Sequence, residues 1–303
     1  MNDATPRRMT GSLVERASAR WDLAPRGFVP APGNPSPFPA AAPRPVLDLH
    51  VPVREARAPR PVVAIDRARL ADRGMIVPGA AITALAEEFR LVKRALIATA
   101  RNLTDDDKAR SILVCSAKPD DGKTFCAINL ALSLAAEKDV EILLVDADLA
   151  KPDVLQVLGV DPGRPGLLDA IADPSVDVEG LIVDTDVPQL ALLSTGTLSH
   201  GDTELLGSRR AAEVLANLAR ANPDRIVVFD SPPALAASPA AVLSGHVGQV
   251  MLVVRADETS EGDLRDAVAL LDGCDQVQLL LNAVAFQPGG RRFGYYGQEA
   301  KGQ

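Results

Sequence analysis

The sequence predicts an α/β fold: a doubly wound, mostly parallel sheet with helices on both faces. Three observations carry that prediction. Six short apolar runs, SILVCS, EILLVD, LALLS, RIVVFD, QVMLVV and QLLLN, recur from Ser111 onward. Stretches of helical length (124–137, 205–221 and 259–273) lie between most of them. The runs are nearly continuous rather than alternating, as strands covered on both faces must be. Of the 303 residues, 47% are hydrophobic and only 3% aromatic, so a large core must be built from aliphatic side chains.

Taken in chain order, residues 1–61 hold 12 of the 24 prolines. Proline lacks the amide donor and fixes φ, so this segment reads as a disordered arm or tether. It carries nine Lys/Arg against five Asp/Glu, although the whole chain has a net charge of −8. Residues 62–79 read as irregular. A helix follows, in which Ile82, Leu85, Phe89, Val92 and Leu96 step by three and four to form one apolar stripe. Glu87, Arg90, Lys93 and Arg94 occupy its polar side. Residues 62–110 form the N-terminal helical segment of the folded domain, 111–285 its core, and 286–303 a glycine-rich flexible tail.

Composition narrows the function. An acidic chain has no long-range pull toward nucleic acid, so no nucleic-acid partner is expected. Cys115, Cys126 and Cys274 have no C-x-x-C or metal-ligand spacing and read as reduced, buried thiols. The N-terminus has no continuous apolar stretch of the secretory kind, and no run of about 18 uncharged apolar residues occurs anywhere. A cytoplasmic location is the expectation.

The strongest chemical signal is SILVCSAKPDDGKTFCAINLALSLA, in which a buried strand ends, a turn-rich loop follows, and GKT opens a helix. Loop amides and a helix N-terminus point donors and positive dipole at a phosphate. The cradle is Ala117, Lys118, Pro119, Asp120, Asp121, Gly122, Lys123, Thr124 and Phe125, with Lys123 reaching the β- and γ-phosphates and Thr124 ligating Mg²⁺. Ala117 stands where the P-loop pattern has its first glycine. EILLVDADLAKP ends a second strand in Asp146 and Asp148, and RIVVFDSPP ends a third in Asp230. Ligands of parallel sheets sit beyond the carboxyl ends of strands, so the three acids converge on the nucleotide side. Thr124, Asp146 and Asp230 are the candidate magnesium ligands, though Asp148 also suits a helix N-cap.

SAKPDDGKT, LLVDADLAKP, FDSPP and a terminal tyrosine pair together resemble the bacterial tyrosine kinases of exopolysaccharide and capsule synthesis, and more narrowly the stand-alone autokinases of exosortase-linked loci. The likeness spans about residues 62–298. It implies P-loop machinery related to MinD and ParA ATPases, with ATP and Mg²⁺ bound. Lys123, Asp146, Asp148 and Asp230 are then the catalytic residues, one of the paired acids helping to deprotonate the tyrosine. Glu87, Arg90 and Lys93 fall on an E-x-x-R-x-x-R motif through which relatives pack into rings, with Lys in place of the last Arg. Asn282 is implied as an adenine contact. Lys118 falls at the signature-lysine position of MinD-like ATPases, read here as a coincidence. Asp120 departs from the family's glycine and must take up a left-handed conformation.

The chain's two tyrosines, Tyr295 and Tyr296, are adjacent in the tail among Gly289, Gly290, Gly294 and Gly297. Their placement fits phosphoacceptors offered to a neighbouring subunit. The resemblance further implies a ring-like homo-oligomer and a separate membrane-bound activator of the polysaccharide chain-length type, which recruits the kinase to the inner face of the membrane. The alternatives are a MinD- or ParA-like positioning ATPase and a non-catalytic, ATP-bound scaffold of polysaccharide export. The tail's glycines break any amphipathic membrane helix of the MinD kind.

Overall fold

A computed structural model of the chain describes residues 60–284 other than 104, 105, 139 and 200. The proline-rich arm up to residue 59 and the tail with Tyr295 and Tyr296 lie outside the described residues. Eight strands form one sheet: β1 (Val62–Val63), β2 (Ser111–Ser116), β3 (Glu141–Asp146), β4 (Val183–Thr185), β5 (Leu190–Leu193), β6 (Arg225–Asp230), β7 (Gln249–Arg255) and β8 (Val277–Asn282). Their order is β1-β4-β5-β3-β6-β2-β7-β8. Every pairing is parallel except β4 with β5. Five helices matter below: α1 (Arg67–Asp72), α2 (Ala84–Ala100), α3 (Lys123–Leu134), α4 (Arg209–Arg220) and α5 (Glu261–Leu270).

The continuous apolar runs are explained by a core on each face. Leu113 and Cys115 of β2 join Leu143 and Val145 of β3 in one cluster with Val214 and Leu218 of α4. Ile112 and Val114 point the other way, joining Ile142, Leu144, Ile128 and Leu130 under α3 and α2. Because successive side chains of a strand alternate faces, a strand sandwiched between helices must be apolar at every position. The chain winds from β2 toward β3 on one side, and from β6 across to β7 and β8 on the other. Such a reversal opens a crevice at the carboxyl ends of the strands.

Several details depart from the sequence-based expectations. Residues 62–79 are not irregular throughout: β1 adds an edge strand beside β4, and α1 is capped by Asp66, which accepts from Arg69 N. Two residues assigned to the arm are anchored. Pro61 O accepts from Asp184 N, and the Arg60 side chain, 8% exposed, pairs with Glu141, Glu179 and Asp184. Ile82 lies ahead of α2 and is exposed, because Thr83 caps that helix by accepting from Ala86 N. Such a cap contributes about 1 kcal/mol. The 205–221 stretch is divided into a short helix, Asp202–Leu206, and α4. Finally, β8 is not covered on both faces, since Leu279 and Leu281 stand exposed beside the buried strands of the interior.

Candidate active site

The loop between β2 and α3 gathers most of the predicted residues. Gly122 (φ 98°) starts α3 in the left-handed conformation, and Lys123 is the first helical residue. A Cβ at Gly122 would lie 2.1 Å from the Asn282 amide nitrogen, so only glycine fits both the backbone and the neighbour. Asp120 has the expected left-handed backbone (φ 64°) and is exposed. Asp121 is turned inward: its carboxylate accepts from Lys118 N at 3.0 Å and from the Thr259 hydroxyl at 3.2 Å. Ala117 is buried, which suits a residue packed under the loop.

Lys123, Thr124, Asp148 and Asp230 form one cluster. Lys123 Nζ lies 2.5 Å from Asp148 Oδ2, 3.2 Å from Thr124 Oγ1 and 4.0 Å from Asp230 Oδ1. The Thr124 hydroxyl donates to Asp230 Oδ2 at 2.6 Å. Asp146 and Asp230 are register partners on β3 and β6, so their carboxylates crowd one another. Burial, reinforced by Asp230, pushes Asp146 up to about 8, and burial pushes Asp230 up to about 6 against the pull of Lys123. Burial works against the charge of Lys123, but the surrounding carboxylates outweigh it and raise its pKa.

The paired acids also organise backbone. Asp146 accepts from Asp148 N at 3.3 Å and Val154 N at 3.0 Å. Asp148 accepts from Ala150 N and Lys151 N, holding the loop after β3 rather than capping a helix. A cavity of about 570 Å³ opens beside this loop, lined by Gly122, Lys123, Thr124, Phe125 and Asp148 among others. It also takes in Lys151, which lies within the second quoted motif, and Arg73, Asp153 and Arg255, which no motif contained. Arg73 follows α1, a helix too short to leave a periodic signal. Arg255 ends an apolar run, a position whose facing cannot be read without the strand order.

The remaining predicted residues are placed as follows. Lys118 forms an ion pair with Asp263 at 2.5 Å, and that pair with Ser260 pulls Asp263 down to about 2. It is held by the first turn of α5. Asn282 donates to Asp121 O at 2.9 Å, so its amide rests on the phosphate loop. Glu87 and Arg90 pair with each other on α2. Lys93 must be separated from them: it is buried, donating to Ser133 O at 2.9 Å and pairing with Glu137 at 2.5 Å, whereas Arg94 is exposed. The lysine stem reaches across to the end of α3, which an open, ring-packing face does not require.

One atom tests whether a cation belongs here. Asp230 Oδ1 is buried and has no hydrogen-bond partner, although a buried carboxylate oxygen ordinarily finds one. Its companion oxygen is met by the Thr124 hydroxyl, and Asp146 adds a second raised acid next door. An oxygen-only donor set with surplus negative charge fits Mg²⁺, which favours hard carboxylate and hydroxyl ligands.

A left-handed glycine turn opening a helix at the carboxyl end of a central strand, with a lysine, a threonine and strand-end aspartates, defines a P-loop nucleotide-binding domain of the α/β class. A family model described as an AAA domain matches residues 109–264. Tyrosine-protein kinase YwqD of Bacillus subtilis (strain 168) is 30% identical over 194 residues, covering 63% of this chain and 79% of that protein. The putative tyrosine-protein kinase EpsB of Ralstonia nicotianae is 32% identical over 198 residues, 65% of this chain. The chain spans only 26% of the EpsB length. The kinase domain of Escherichia coli tyrosine kinase ETK shares the fold, with a TM-score of 0.58 at 22% identity over 78% of this chain and 95% of that one. The chain belongs to the AAA-domain family and, within it, to the bacterial tyrosine-protein kinases.

Proposed function

We propose that the chain is an ATP-dependent tyrosine autokinase that transfers the γ-phosphoryl group of Mg-ATP to Tyr295 and Tyr296 of a neighbouring copy. The observation that carries the reading is the Thr124 hydroxyl donating to one Asp230 oxygen, while the other, 4.0 Å from the Lys123 ammonium, has no hydrogen-bond partner. Family membership and the 30% likeness to YwqD support it.

Lys123 and the amides of residues 120–124 bind the β- and γ-phosphates and neutralise charge on the transferred group. Thr124, Asp146 and Asp230 hold Mg²⁺. When bound, the ion neutralises the negative charge spread over the phosphate oxygens. Asp148 orients Lys123 through their 2.5 Å contact, and Asp146 or Asp148 takes the proton of the incoming tyrosine hydroxyl. Glu87 and Arg90, with Arg94 in place of Lys93, serve the ring contact, and residues 62–110 carry that assembly function. The arm up to residue 59 serves as tether and the tail 286–303 as substrate. No helix among the described residues is long and apolar enough to cross a membrane. By likeness to the tyrosine-protein kinases, a separate membrane-bound activator of polysaccharide export fits as the recruiting partner, and regulation of exopolysaccharide synthesis as the outcome.

Incubation of the purified chain with Mg-ATP and the activator, followed by phosphotyrosine detection, tests the reading. The label is expected on the wild type and absent from Lys123→Ala and from the Tyr295→Phe, Tyr296→Phe double variant. ATP hydrolysis without phosphotyrosine would establish a positioning ATPase instead, and neither activity would leave a scaffold.

A further inference from the structure

The phosphate loop is held from outside the motif that defines it. Arg255 and Asn282 are register partners at the carboxyl ends of β7 and β8, the strands nearest one edge of the sheet. Asn282 Nδ2 donates to Asp121 O at 2.9 Å and packs directly against Gly122. Arg255 Nη1 donates to Asp120 O at 2.7 Å. The Thr259 hydroxyl accepts from Arg255 N at 2.9 Å and donates to the Asp121 carboxylate at 3.2 Å. Three consecutive residues of the loop, Asp120 to Gly122, are thus gripped by three side chains, from the ends of β7 and β8 and from the turn that follows β7.

Backbone strain marks the same place. Among the described residues, four non-glycine positions have positive φ: Asp120 (64°), Gln189 (66°), Asp257 (63°) and Ala283 (55°). Three of the four lie in the loop or in the turns that carry the grip. Strained conformations persist where surrounding contacts over-determine them, and ligand clamps are one such setting.

We propose that Asn282, Thr259 and Arg255 form a clamp that sets the shape of the phosphate loop, so that triphosphate affinity is governed by the ends of β7 and β8. They are positioning residues, acting through the loop carbonyls and the Asp121 carboxylate. The proposal rests on the nucleotide-binding reading above and assigns Asn282 to the phosphates' cradle rather than to adenine. The loop amides can point at phosphate only while the carbonyls between them are turned away, and the clamp supplies donors for two of those carbonyls.

Calorimetric titration of the full chain with Mg-ATP and, separately, with magnesium tripolyphosphate distinguishes these roles, because the second probe has no base. Asn282→Ala and Thr259→Val are each expected to weaken both probes by about tenfold, the effect of losing one such hydrogen bond to a buried group. Thr259→Ser, which keeps the hydroxyl, should restore wild-type affinity. Gln278→Ala is the control for general loosening of β8: Gln278 donates to Thr99 and Gln249, away from the loop. That variant should lower the melting temperature with both affinities unchanged. Loss of Mg-ATP binding alone in Asn282→Ala would overturn the clamp in favour of adenine recognition. Unchanged affinities, or equal losses in Gln278→Ala, would overturn it as well. A wild-type chain that binds neither probe would instead sink the nucleotide reading itself.

Discussion

Two clusters of buried charge sit at opposite ends of the same strands, and they are built to different rules. At the amino ends of β3 and β6, Arg225 is fully buried. It meets Glu141 at 2.6 Å, Glu179 at 2.6 Å and the carbonyl of Leu218 at 2.8 Å. Arg60 joins from the other side of the same two glutamates, with Asp184 at the rim. Two cations face two largely buried glutamates, and these charges balance, leaving only the half-exposed Asp184 over. At the carboxyl ends, Asp146, Asp148 and Asp230 are 2% exposed or less, and among the described residues Lys123 is the one basic side chain in direct contact with that group. Balanced burial holds the fold together; the surplus of acid is a demand for a cation that the polypeptide does not itself satisfy.

Removing one partner of the balanced cluster tests that contrast most severely. Arg225→Ala takes one of two cations away from Glu141 and Glu179 and should cost about 3–5 kcal/mol of unfolding free energy in urea titrations. Mg-ATP affinity of the molecules that remain folded should be unchanged. At the other end, Lys123→Ala should lower phosphotransfer by about 10²–10³-fold, the usual loss when one transition-state donor is removed. An Arg225 variant that lost affinity as steeply as a Lys123 variant would break the distinction between the two clusters.

A smaller effect with a reversed sign sharpens it. Asp230→Asn relieves the acid crowding and should stabilise the nucleotide-free protein by on the order of 1–2 kcal/mol while abolishing transfer, a trade of function against stability. The same crowding gives a pH dependence. Asp146 is raised to about 8 and Asp230 to about 6, above the ordinary value of 3.8. The folded state therefore binds these protons more tightly than the unfolded chain does. The stability they contribute is fully present below about pH 4 and is lost as pH rises through 6 and then 8. Thermal melts in EDTA should show that decline, and it should be muted in Asp230→Asn.

The sequence made the surplus cluster legible and left the balanced one hidden, for physical reasons. The strand-terminal aspartates stand at the ends of short, continuous apolar runs and GKT follows one after a turn-rich loop, so the sequence alone brings them to one edge of a parallel sheet. Arg60 follows a proline-rich stretch, and Arg225 opens a strand as any solvent-facing residue could. Only the register of β3 against β6 shows that Glu141 faces Arg225. The strands of two and three residues, β1 and β4, carry too few side chains to leave a pattern. Lys93 sits at a position suited to the polar side of α2, and its burial depends on where the end of α3 falls. Arg255 and Thr259 reach the phosphate loop because β7 lies beside β2, which is information about strand order.

The smallest effect bears on how the surplus of acid is tolerated at the rim of the site. Asp120 combines a left-handed backbone with a carboxylate beside the cavity that Lys123 lines. The conformation costs an ordinary residue about 1–2 kcal/mol, less for aspartate, while glycine adopts it freely but gives back about 0.5–1 kcal/mol through the entropy of the unfolded chain. Asp120→Gly should therefore change stability by no more than about 1 kcal/mol. Affinity separates charge from strain. Asp120→Asn keeps the tolerance for positive φ and removes the charge; Asp120→Ala removes the charge and keeps the strain. If repulsion between Asp120 and the triphosphate limits binding, Asn, Ala and Gly should all tighten Mg-ATP by a similar factor of about two to five, and added salt should narrow the gap to wild type, since exposed charges are screened. A gain confined to glycine would place the cost in the backbone instead, and the excess negative charge of the site would then end at Asp148, short of the loop.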